Sequence, residues 1–218
     1  MSKAFAIGVV AVLLTAVAVA WRVNDSTTAV ETTVEAKAAP PSAAPMCPWR
    51  EPDADLQLFF PGADHCEVDT RILSGLRLEL TSRLGRAPNG AENALRFHRV
   101  WLGTNELGTV LTRRVKGTHG AIEIVLATDA VCRMRGVRLQ RLREPEPVAA
   151  ALQNPDWLRA FAGKQAEDAW KLGTDIPEVF PEARESAAAV VEGVRSELIL
   201  LSIATQSGLA MPVTASQH

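Results

Sequence analysis

A chain of 218 residues with a formal net charge of -2 and a pI near 6.1 has room for one domain plus appendages, and it lacks the global basic field of a nucleic-acid binder. Its hydrophobic content of 47% is raised by an Ala- and Val-rich N-terminus, yet enough remains to bury a core. Three cysteines, with no C-x-x-C or C-x-x-C-H, exclude a thioredoxin-type redox pair and c-type haem attachment.

Residues Ala4 to Ala20 are uncharged, with Lys3 before them and Trp21-Arg22 behind. Read as a signal peptide, the segment has a basic start and two A-x-A exits, Ala16-Val17-Ala18 and Ala18-Val19-Ala20. Read as an anchor, residues 4-21 reach the lower limit of about 17 apolar residues for crossing a bilayer, and Trp21 suits the interface. The Ser/Thr/Ala/Pro-rich stretch 23-46 lacks periodicity and reads as a disordered linker. A linker is most useful behind a retained helix, so residues 1-22 are expected to remain as a single-pass membrane helix. The body, 47-205, then lies on the periplasmic or extracytoplasmic side, followed by a flexible tail, 206-218. In that oxidising compartment Cys47 and Cys66 are close enough in sequence to bridge, although small half-buried thiols are the alternative.

Within the body, Leu56 to Phe60 is apolar and ends at the Pro61-Gly62 turn. Ile72, Leu76, Leu80 and Leu84 recur every four residues, which predicts a helix capped by Asp69 or Thr70 and ended by Gly85. Strands are expected at Leu95-Leu102, Thr109-Val115, Ala121-Thr128 and Met134-Leu142, the last two forming an antiparallel hairpin. Helices return after Pro147. One starts at Asn154-Pro155-Asp156, with Trp157, Leu158 and Phe161 on its apolar face and Gly163 as its stop. The last runs from about Ala183 to Leu201 with Val190, Val191, Val194, Leu198 and Leu201 along one side. Helix, sheet and helices in succession predict an α+β domain with a small, mainly antiparallel sheet.

Several short segments share an order and spacing with a known domain. They are Phe60-Pro61-Gly62-Ala63, Gly117 to Ile122 (GTHGAI), Asp129, Gly136-Val137, Arg143-Glu144 and Asp156 to Lys164 (DWLRAFAGK). Together they resemble the FMN-binding domain of the Rnf complex G subunit and of the sodium-pumping NADH:quinone reductase C subunit. The resemblance implies a membrane-anchored electron-transfer domain carrying FMN on a threonine in an S-G-A-T-x-T-S loop before the last helix. Here that stretch reads DIPEVFPEARES, with Phe180, Pro181, Glu182 and Ala183 in place of Ser, Gly, Ala and the acceptor Thr. Ser186 alone survives. Ala183 offers no hydroxyl, Pro181 no N–H, and Glu182 and Glu185 bring negative charge to a phosphate position. The E-T-P-G signature is likewise altered to Glu144-Pro145-Glu146-Pro147.

Other candidates have plainer readings. Arg133, Arg135 and Arg138, with Arg141 and Arg143, form an anion or partner patch or else a solvated sheet face. His65, His98 and His119 match no metal-ligand spacing, and Ser74 and Ser186 lack a nucleophile-elbow context. Trp157 and Trp170 suit core packing better than stacking on a flavin. The expectation is an accessory or structural subunit of a membrane electron-transfer complex, respiratory or photosynthetic, built on a flavin-free FMN-binding-like domain. The alternatives are an electron carrier with non-covalent FMN and a small-molecule binding module.

Overall fold

The computed structural model describes residues 52–206; the predicted anchor, most of the linker and tail, and Cys47 lie outside them. Helix α1, Asp53–Phe59, opens the described chain and buries Leu56 and the following Phe60. Strand β1 then runs from His65 to Ile72, and a 3-10 turn at Ser74–Leu76 leads into α2, Arg77–Leu84.

The helix expected from Asp69 or Thr70 therefore begins eight or seven residues later. The periodic stripe is real from Leu76 onward, since Leu80 and Leu84 are buried and Gly85 ends α2 at φ 73°. Residues 65–72 pair instead with β2 in an eight-residue antiparallel register, from His65–Trp101 to Ile72–Ala94. Val68, Thr70 and Ile72 are β-branched and fit a pleated surface, so the neighbouring strand overrides the local period. Ile72 belongs to the strand and is 64% exposed.

A second 3-10 turn, Gly90–Asn93, is closed by a capping box between Asn89 and Glu92. The sheet continues with β2 (Ala94–Leu102), β3 (Asn105–Lys116), β4 (Ala121–Asp129) and β5 (Met134–Leu142). Its order, β1-β2-β3-β4-β5, is an antiparallel meander of five strands where four were expected. Short helices α3 (Glu146–Leu152) and α4 (Pro155–Arg159) follow. The Asn154 side chain accepts from Asp156 N–H at the start of α4. A 3-10 turn at Pro181–Ala183 introduces α5, Arg184–Gln206, which is longer than the sequence predicts.

The two sheet faces are unequal. Phe97, Leu111, Ile124, Leu126 and Val137 point to the larger core, which α5 covers with Val190, Val194, Leu198 and Leu201. Gly193 lets α5 lie close, because a Cβ there would meet Val115 Cγ1 at 2.5 Å and Ile124 Cδ1 at 3.3 Å. On the other face Val100, Val110, Val125 and Ala127 receive Leu56 and Phe60 around α1. Strand β4 is covered on both faces, which explains its near-continuous apolar run. Among the described residues no helix is long and apolar enough to cross a membrane.

Candidate functional site

Two of the segments singled out in the sequence, the β3–β4 turn at Gly117–Gly120 and the exit of β5 at Arg143–Glu144, converge at one end of the sheet with the start of α5 at Ser186. Glu144 holds them together, with its side chain fully buried. The Ser186 hydroxyl donates to its Oε1 at 2.9 Å, and His119 N–H donates to the same oxygen at 3.3 Å. His119 Nδ1 lies 2.9 Å from Oε2. Ser186 Oγ also accepts from Thr118 N–H at 2.9 Å. Burial would raise the Glu144 carboxyl, but the hydrogen bonds from His119 and Ser186 outweigh it and hold the group below its ordinary range. Gly117 makes the approach possible, since a Cβ there would lie 2.0 Å from Glu144 Oε1.

The stretch 175–186 can be tested residue by residue as a flavin carrier. Ala183, at the position of the acceptor threonine, is 0% exposed and presents only a methyl group. Its N–H donates to the Phe180 carbonyl at 3.0 Å, and Pro181 has no N–H to give. Glu182 is exposed and sits in the first turn with its negative charge. The hydroxyl nearest the helix start, on Ser186, is committed to Glu144. The residues present do not fit a covalently bound FMN.

The remaining candidates are placed as follows. Arg138 Nη1 donates to Asp55 at 2.8 Å, and Arg135 lies over the Phe60 ring with its guanidinium carbon 4.6 Å from the ring centre. Two of the predicted patch arginines thus pack on α1 and the residue after it, while Arg133 lies exposed in the β4–β5 turn. Trp157 and Trp170 flank Phe161 in the core and donate their indole N–H groups to the Pro177 and Gln165 carbonyls. His65 stacks on Trp101 and bonds Asp64. Among the described residues no group of His, Cys, Asp and Glu is arranged to hold a metal ion. Cys66 is exposed on β1, and its predicted partner Cys47 lies outside the described residues.

A buried ionic cluster went unread in the sequence. Glu92 is fully buried and accepts from Arg86 at 2.8 and 2.9 Å, from Arg113 at 2.9 Å and from Asn89 N–H at 2.8 Å. Arg113 also reaches Glu197 at 2.6 Å. Burial would raise the Glu92 carboxyl, but Arg86, Asn89 N–H and Arg113 outweigh it and bring it to about 2. For Glu197 burial wins over the attraction of Arg113, and its carboxyl is raised. The available signals were the N-x-x-E capping box at Asn89–Glu92 and an acid, Glu197, set on the apolar stripe three residues after Val194.

No family model matches the chain, and no curated protein matches it. Among solved structures, the crystal structure of Shewanella oneidensis NqrC aligns with it at 14% sequence identity and a TM-score of 0.44, over 69% of this chain and 82% of that one.

Proposed function

We propose that this chain is a membrane-anchored, extracytoplasmic accessory or structural subunit of a membrane electron-transfer complex, respiratory or photosynthetic, whose FMN-binding-like domain has lost its flavin. The observation that carries the reading is the commitment of Ser186 and the His119 N–H to an internal carboxylate, Glu144, beside an Ala183 that has no hydroxyl. An incoming phosphate would compete with Glu144 for those donors. It would also meet the carboxylates of Glu182 and Glu185, and each like charge at about 4 Å costs ~1 kcal/mol even in bulk water. The N-terminus of α5 returns only ~0.3–1 kcal/mol at an exposed position, and Glu185 already occupies its first turn.

The test is production of the full chain with its own N-terminus in a host that has the flavin transferase, followed by native purification from membranes. The expected product is colourless, shows no in-gel flavin fluorescence, and travels with subunits of a larger complex. Fluorescence that survives denaturation would refute flavin loss outright. Yellow colour released on denaturation would replace this reading with a non-covalent FMN carrier.

A further inference from the structure

The ladder between β2 and β3 ends at Phe97–Leu111, yet both strands run on. β2 extends back to Ala94, still paired with β1, and β3 extends to Lys116, still paired with β4. Neighbouring strands that part within a sheet turn the backbone N–H and C=O groups of their facing edges away from a ladder partner. Here they border a cavity of about 400 Å³, within the range of small-molecule sites.

Its walls are basic. Arg96 and His98 come from β2 and Arg113 and Arg114 from β3, against one acid, Glu197. Arg113 is balanced by Glu92 and Glu197, and Arg114 donates to Glu123 at 2.6 Å. Arg96 differs, because it is exposed and has no ion pair or side-chain hydrogen bond with any described residue. Glu197, the one acid of the lining, turns one oxygen to Arg113 and is paired with it. None of residues 175–186 lines this cavity, so it is separate from the Glu144 site.

We propose that the opening between β2 and β3 is a binding site for a small organic anion, whose carboxylate or phosphate group is received by the Arg96 guanidinium at the mouth of the cavity. Arg fits either oxyanion through two parallel N–H bonds. Arg113 and Arg114 lie behind it, each held by its carboxylate partners, which leaves Arg96 as the cation that receives the anion.

The experiment is isothermal titration of the full-length chain, purified in detergent, with inorganic phosphate and with succinate. Chloride at matched ionic strength serves as the background. Saturable binding of at least one probe is expected, weakened about tenfold or more in Arg96→Ala and less severely in Arg96→Lys, which keeps the charge but loses the paired N–H bonds. Arg159→Ala, which removes an exposed arginine paired with Asp156, should leave binding unchanged. Binding of phosphate alone assigns a phosphate-bearing ligand, and binding of succinate alone a carboxylate. The proposal is overturned if neither probe saturates, if Arg96→Ala binds like the wild type, or if Arg159→Ala weakens binding as much as Arg96→Ala does.

Discussion

Replacing Glu92 by Gln should be among the most damaging single changes in the domain, at a site where no sheet or helix face is altered. The carboxylate is fully buried and accepts four hydrogen bonds, three of them from Arg86 and Arg113. Its carboxyl lies at about 2 in the fold against an ordinary 4.5. That difference corresponds to ~3 kcal/mol of stability at neutral pH by linkage. Breaking a buried pair gives a similar scale, ~3–5 kcal/mol, because Arg113 would keep its charge with one partner fewer.

The sign is set by the depressed value. The contribution is fully present above the unfolded-state value near 4.5 and is lost as pH falls through about 2. Glu197 runs the other way: its raised carboxyl contributes most at low pH, and that contribution fades as pH rises through its folded value. The wild-type minus Glu92→Gln difference therefore isolates Glu92 better than either curve alone. Urea unfolding followed by far-UV circular dichroism at pH 7, 5 and 3 should show a gap of ~3 kcal/mol at pH 7, nearly unchanged at pH 5 and about 2 kcal/mol smaller at pH 3. A gap below about 1 kcal/mol at pH 7, or one that does not change with pH, would refute the account of the cluster.

Val194→Asp places a carboxylate where the side chain is 0% exposed between α5 and the sheet; the expected loss is several kcal/mol in thermal unfolding, and wild-type stability would mean that another face of α5 meets the core. Gly117→Ala should force Glu144 away from Ser186 and cost ~2 kcal/mol or more, because the new methyl would lie 2.0 Å from Oε1. Combining Gly117→Ala with Glu144→Ala should cost less than the sum of the two single changes, and strict additivity in urea unfolding would show that the two residues do not meet.

The meander of β2 to β5 was legible in the sequence because each strand is a run of β-formers bounded by a turn, and such signals are local. The apolar side of α5 was legible for the same reason: Val190, Val194, Leu198 and Leu201 lie on one stripe whatever covers it. That position 183 carries no hydroxyl was likewise a matter of residue identity alone. What the tertiary structure decided were choices between neighbours. Residues 65–72 carry part of a helical period, but the open edge of β2 supplies eight paired positions, and the long-range ladder wins. Gly117, Glu144 and Ser186 are scattered over the chain and meet only when β3, β5 and α5 are assembled. Glu92, Arg113 and Glu197 form one ionic cluster because the chain brings a turn, a strand and a helix to the same buried spot. Periodicity reports which side of an element is apolar, but a buried charge is settled by the partner it finds, and that partner comes from elsewhere in the chain.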